Sequence, residues 1–185
     1  MNAPLTKEAA VCLYTALSTD TGNFVYDSVN GECFEMMAGL MEAGLPLAEI
    51  SRVLFREKRE DFVRLLGVTL PSLRVTEGGS IAGLCTSLEH FRQNGLNPAE
   101  TEGVVDYAID IQGVCMAYYL HEQEENVTKV SFRALPPYRM DQVARQFGGG
   151  GHPQAAGCTL PMPLAQAVKE VEAALHQALE EQRNS

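Results

Sequence analysis

The run Gly148-Gly149-Gly150-Gly151-His152-Pro153-Gln154-Ala155-Ala156-Gly157 governs the reading of this chain. Four consecutive glycines carry a backbone-entropy cost that folding must overcome, so they are unexpected wherever an ordinary residue would serve. Their flanks are apolar, with Val143, Ala144 and Phe147 before and Ala155, Ala156, Cys158 and Leu160 after, unlike a flexible Gly/Ser linker. Such a backbone is expected where something lies close against it. The loop is read as a nest of N–H groups aimed at one spot, with the His152 imidazole at its edge, and the guest expected there is a phosphate or a carboxylate.

Working outward, Met140–Phe147 reads as a helix leading into the glycines, and Ala155–Leu160 reads as extended. In Val127–Ala134 the residues Thr128, Val130, Phe132 and Ala134 share one face and Lys129, Ser131 and Arg133 the other, so one side of that strand is polar and carries two cations. Val114–Leu120 is apolar on both faces, as a covered central strand would be. Ile81–Thr86 is a short strand candidate and Thr101–Ile109 a helix. Pro163 opens a last helix with Leu164, Val168, Val171, Leu175 and Leu179 on one stripe. Upstream of the Pro71–Ser80 segment the chain reads as four consecutive helices. The first starts at Thr6 with Ala10, Leu13, Tyr14 and Leu17 recurring at helical spacing, and the second is packed through Met36, Met37 and Met41.

With 185 residues, 45% of them hydrophobic, the chain can bury a substantial core. A formal net charge of −10 argues against a broad basic face for long nucleic acid, yet a local cradle with one or two arginines still suits a small phosphorylated ligand. Five scattered cysteines without a C-x-x-C pair point to buried thiols rather than disulfides or zinc. No apolar run reaches membrane-spanning length, and a soluble cytoplasmic protein is expected.

Two clusters carry chemistry. Asp20 lies where the first helix runs out, in Ser18-Thr19-Asp20-Thr21-Gly22-Asn23-Phe24. An anion there is mildly unfavourable for the helix dipole, so Asp20 is a candidate metal ligand, although Asp-Thr-Gly is also an ordinary turn sequence. Arg133 on the polar strand face is a candidate phosphate clasp; the plainer alternative is a strand arginine paired with an acidic neighbour. His90, His121 and His176 lack ligand-like spacing, and His121 and His176 are expected at the surface or in satisfied structural roles.

Together the two clusters resemble a known family. Leu13-Tyr14-Thr15-Ala16-Leu17-Ser18-Thr19-Asp20-Thr21-Gly22-Asn23-Phe24 resembles the last metal-ligand motif of the DHH phosphoesterases. Val130-Ser131-Phe132-Arg133-Ala134, followed by Phe147 to His152 and Ala155-Ala156-Gly157, resembles their substrate-binding DHHA1 domain. The resemblance implies an α/β fold, with a helical C-terminal remnant of a DHH domain over 1–72, a linker over 73–80 and a mixed-sheet α/β DHHA1 domain over 81–185. It further implies two manganese ions that activate water, with Asp20 as a ligand and Arg133, Gly149, Gly150, Gly151 and His152 binding substrate. The branch resembled is the one that hydrolyses short oligoribonucleotides and 3′-phosphoadenosine-5′-phosphate.

The chain departs from the family pattern in starting nineteen residues before Asp20, without the Asp-x-Asp, further Asp and Asp-His-His motifs that precede it in the family. Ala134 also stands where many relatives have Ser. The chain alone is therefore expected to bind a nucleotide or short RNA without hydrolysing it. The protein partners considered are a homodimer and an N-terminal half supplied as a separate chain, and no membrane is expected. A non-catalytic module for nucleotides or a cyclic dinucleotide is the alternative. A tRNA-directed role, as in alanyl-tRNA synthetase relatives, fits the acidic balance poorly.

Overall fold

The computed structural model describes residues 5–25 and 28–183. Two compact units, Met1–Lys58 and Arg59–Ser185, divide by packing. The boundary precedes the fourth helix, so the segment read as helical over 1–72 is shared between them.

The first unit holds α1 (Lys7–Asp20), α2 (Gly31–Glu42) and α3 (Leu47–Ser51), which runs on into a π-type turn over Arg52–Arg56. The Thr6 hydroxyl caps α1 by accepting from the Ala9 N–H at 3.2 Å, and Asn30 caps α2 through the Cys33 N–H. Ala10, Tyr14, Leu40 and Leu45 form a small core, and Tyr14 and Ser51 share a hydrogen bond of 2.5 Å. The expectation for the methionines holds only for Met37. Met36 and Met41 are exposed, because α2 turns inward only the stripe containing Met37 and Leu40.

The second unit contains α4 (Glu60–Thr69), β1 (Arg74–Thr76), β2 (Ile81–Thr86), α5 (Leu88–Asn94), α6 (Asp106–Ile109), β3 (Met116–Glu124), β4 (Val127–Ala134), α7 (Met140–Gln146), β5 (Gly150–His152), β6 (Ala155–Leu160) and α8 (Leu164–Arg183). The strands form one sheet in the order β1-β2-β3-β4-β6-β5, mixed because β2 and β3 are parallel and every other pair antiparallel. The parallel pair requires a crossover, which α5 and α6 supply. Three elements differ from expectation. The helix read over Thr101–Ile109 shortens to α6, β3 continues past Leu120 to Glu124, and the last two glycines lie in a strand.

The alternation along β4 is as the sequence predicts. Thr128, Val130, Phe132 and Ala134 are buried beneath α7 and α8, against Met140, Val143, Ala144, Val171, Leu175 and Leu179. The other sheet face is covered only over β2 and β3, where Leu65 and Leu66 of α4, Phe91 of α5 and Ala108 of α6 pack with Val104 and Val105 on Ala82, Leu84, Ala117 and Tyr119. Over β4, β6 and β5 that face is open. Glu122 ties the two layers at one end of the sheet, accepting from the first N–H of α5 (Leu88, 2.9 Å) and of α8 (Leu164, 3.4 Å).

His121 does not meet expectation. It is 1% exposed, stacks on Tyr119 at 5.2 Å and meets the edge of Phe91 at 5.9 Å, and among the described residues neither ring nitrogen has a hydrogen-bond partner. The Pro98 carbonyl is close enough to favour a protonated ring, without ordinary hydrogen-bond geometry. Burial, and secondarily the charge of Lys129, lower the imidazole pKa from 6.5 to about 4. The unfolded chain thus protonates before the folded one. Stability that is whole above the unfolded value is lost as pH falls toward the folded value, by about 2–3 kcal/mol. Urea unfolding at about pH 7.5 and about pH 4.5 is expected to show His121→Leu losing about 2 kcal/mol less than the wild type across that interval. Equal losses would show that His121 is not the group being titrated.

Candidate functional site

The open half of the sheet sets Arg133, Gly150 and His152 in cross-strand rows. Cross-strand partners project to the same face, and the register pairs Arg133 with Ala155 and Ala155 with His152. Arg133 and His152 therefore stand on either side of a small residue, about 10 Å apart at the backbone by two interstrand steps. The next row is Ser131, Gly157 and Gly150, in which only a hydroxyl rises above the floor. A Cβ on Gly157 would lie 2.8 Å from the Val130 carbonyl oxygen, so the strand approach itself keeps that position bare. His152 is exposed at the sheet edge, where every second backbone N–H of an edge strand lacks a ladder partner.

Arg133 has the acidic neighbour that the plainer reading anticipated. Its Nε donates to Asp106 Oδ1 at 2.9 Å and its Nη1 to the Phe132 carbonyl at 3.2 Å, while Nη2 donates to no group among the described residues. The Arg133 side chain is 32% exposed and that of Asp106 47%. Asp106 opens α6, the helix that ends the covered part of the face, so the pair marks the wall of the open half. The exposed carboxylate holds the guanidinium in place and, in high dielectric, competes weakly with a phosphate.

The glycine run is not a nest of free N–H groups. The N–H of Gly148 donates to the Arg145 carbonyl at 3.1 Å and that of Gly149 to the Ala144 carbonyl at 2.9 Å, so both close the C-terminal turn of α7. What lies close to this backbone is the protein's own β6. A Cβ on Gly149 would fall 2.2 Å from the Gly157 carbonyl oxygen, and one on Gly151, whose φ is +146°, 2.5 Å from that of Ala155. Gly150 has nothing within 4 Å. Gly151→Ala is accordingly expected to cost about 1–3 kcal/mol of stability and Gly150→Ala about 0.5 kcal/mol or less, read from thermal melts. Similar effects at the two positions would contradict packing as the reason for the glycines.

Asp20 ends α1 at the surface, followed by three residues in the left-handed region: Gly22, Asn23 and Phe24 with φ of 56°, 58° and 65°. Thr21 secures this turn, its hydroxyl donating to the Leu17 carbonyl at 2.7 Å and accepting from the Phe24 N–H at 3.2 Å. Leu13, Ala16, Leu17, Thr19 and Met36 line a shallow cleft with Asp20. Among the described residues no group of three or more His, Cys, Asp or Glu is placed to hold a metal ion. A single exposed carboxylate does not fit a pair of manganese ions, each of which needs several ligands.

Residues 81–181 match the family model described as the DHHA1 domain. The chain belongs to the DHHA1 family. A bifunctional oligoribonuclease and PAP phosphatase NrnA from Thermus thermophilus is 31% identical to it over 94% of this chain and 52% of its own length. An A-adding tRNA nucleotidyltransferase from Geobacter sulfurreducens is 28% identical over 84% of this chain and 17% of its own. Among solved structures, an exopolyphosphatase-related protein from Bacteroides fragilis covers 93% of this chain with a TM-score of 0.85 and 29% identity, matched over 51% of that protein. The DHHA1 chain thus spans about half the length of the oligoribonuclease relatives it matches.

Sequence reasoning missed Asp106 as the partner of Arg133, for no pattern links residues 27 apart. It also misplaced His121, although the alternation Ala117, Tyr119, His121 continues an apolar face and would have located it. His176 is satisfied as expected, its Nδ1 lying 2.7 Å from Glu77. Of the five cysteines, all unpaired, only Cys158 is fully buried, where burial pushes its thiol up to about 11. No helix among the described residues is long and apolar enough to cross a membrane.

Proposed function

We propose that this DHHA1 chain is the substrate-binding part of a phosphoesterase acting on short oligoribonucleotides and 3′-phosphoadenosine-5′-phosphate. The row Arg133, Ala155, His152 carries the reading, because it sets a guanidinium and an imidazole on either side of a bare floor open to solvent. Arg133 supplies a fixed positive charge and a free donor, and His152 a second donor from the far side, so a phosphate between them is gripped from two directions. Gly149 and Gly151 act by letting the edge strand lie close against its neighbour, which brings His152 to its place in the row, and Gly150 keeps the row beside Ser131 and Gly157 bare. Similarity to the Thermus thermophilus oligoribonuclease and PAP phosphatase supports the substrate class.

Asp20 is proposed as the residue of this chain that would contribute a carboxylate to a two-manganese site, which the described residues do not form by themselves. Manganese supplies water activation and leaving-group stabilisation when bound in such a site. The residues of this chain bind and orient the phosphate. The chain is expected to bind 3′-phosphoadenosine-5′-phosphate in calorimetric titration and to release no phosphate from it with added manganese. His152→Ala and Arg133→Met are each expected to weaken binding about tenfold or more. Unchanged binding in both variants overturns the site, and hydrolysis that disappears in Asp20→Ala overturns the assignment of the chain to binding alone.

A further inference from the structure

Lys129 stands on the open face in line with Arg133 and Ser131, and no function described so far uses it. The three alternate along β4 with the buried residues Thr128, Val130, Phe132 and Ala134 between and beside them, so all three project to the uncovered side. The register continues the floor to this end of the sheet, pairing Lys129 with Thr159 of β6, which is exposed. On its other side Lys129 pairs with His121, whose ring is buried and kept neutral, so it adds no charge to the row.

Most arginines of this acidic chain are held in ion pairs: Arg52, Arg59, Arg64, Arg74, Arg133, Arg139 and Arg145 each have a carboxylate partner. Lys129 is exposed and has no ion pair among the described residues. Four residue steps of extended chain separate it from Arg133, about 13 Å. That is further than one phosphate group spans and within reach of a strand of a few nucleotides. Beyond Lys129, Glu124 at the end of β3 and Glu125 in the turn to β4 are both exposed and oppose any further phosphate.

We infer that Lys129 is a distal phosphate subsite of the open face, receiving a second or third backbone phosphate of a short oligonucleotide whose first phosphate lies at Arg133 and His152. Ser131 and Thr159 offer hydroxyls along the path. The side chains along this path are short, so the strand lies along β4, and the platform ends where the glutamates begin. The face thereby measures length: affinity rises from one nucleotide to about three and does not rise further, because the exposed Glu124 and Glu125 follow Lys129 along this end of the sheet. This rests on the phosphoesterase reading above, and the two separate by experiment.

The test is calorimetric titration of the chain at low salt with adenosine 5′-monophosphate and with the 5′-phosphorylated adenosine dinucleotide, trinucleotide and pentanucleotide. In the wild type the trinucleotide is expected to bind more tightly than the mononucleotide, with no further gain for the pentanucleotide. In Lys129→Gln the ratio of trinucleotide to mononucleotide affinity is expected to fall by about three- to tenfold, and Lys129→Arg to restore it. Lys129 is exposed, so both variants are expected to fold, and circular dichroism checks this. A ratio unchanged in Lys129→Gln, or a wild type that gains nothing with length, overturns the distal subsite and leaves the phosphate site at Arg133 and His152 standing. A wild type that binds none of the four overturns both.

Discussion

The alternation along β4 is the constraint on which the rest of this structure depends. Its even-numbered residues complete a core beneath α7 and α8, and its odd-numbered residues form an open polar row. A slip of one residue would drive Lys129 and Arg133 into that core and expose Val130 and Phe132, exchanging an apolar burial for two unpaired buried charges. The penalty is large on both faces at once. The polar row is therefore held in register by the packing behind it, and the candidate site needs no separate device to hold its strand in place.

The open half-face exists because the crossover between β2 and β3 is short of helix. α5 and α6 together cover only the parallel pair, and α6, four residues long, stops at the boundary with β4. Asp106 at its start turns that boundary into an ion pair with Arg133 rather than an apolar edge. Behind the boundary the covered half is buried and includes polar groups in a chain of hydrogen bonds: Tyr119 donates to Thr86 at 3.0 Å, and Thr86 shares 2.6 Å with Thr69. His121 lies beside this chain and outside it. Its two orphan nitrogens are the least satisfied feature of the core.

The glycine run shows how one residue pattern serves a purpose other than the obvious one. Tight approach was legible, since four glycines between apolar flanks require a close neighbour. The neighbour is β6, whose carbonyl oxygens at Ala155 and Gly157 leave no room for a Cβ on Gly151 or Gly149. Two of the N–H groups that a nest would use are consumed in ending α7. His152 owes its place in the row with Arg133 to this packing of β5 on β6, so the glycines support the candidate site by geometry more than by direct contact.

Local periodicity was enough to locate β4, β6, α7 and α8, because a period of 2 or 3.6 is written in adjacent residues and each of these elements buries one face. Other local patterns singled out the candidate residues: a strand's polar face for Arg133, a glycine run for His152 and a helix end in a turn motif for Asp20. Periodicity said nothing of what covers each face. That depends on contacts between residues far apart in the chain, and so the pairing of Arg133 with Asp106, the burial of His121, the exposure of Met36 and Met41 and the placing of α4 in the second unit emerged only from the folded chain. Lys129 shared a face with Arg133 already in the sequence, and only the folded chain showed that this face is open along β4.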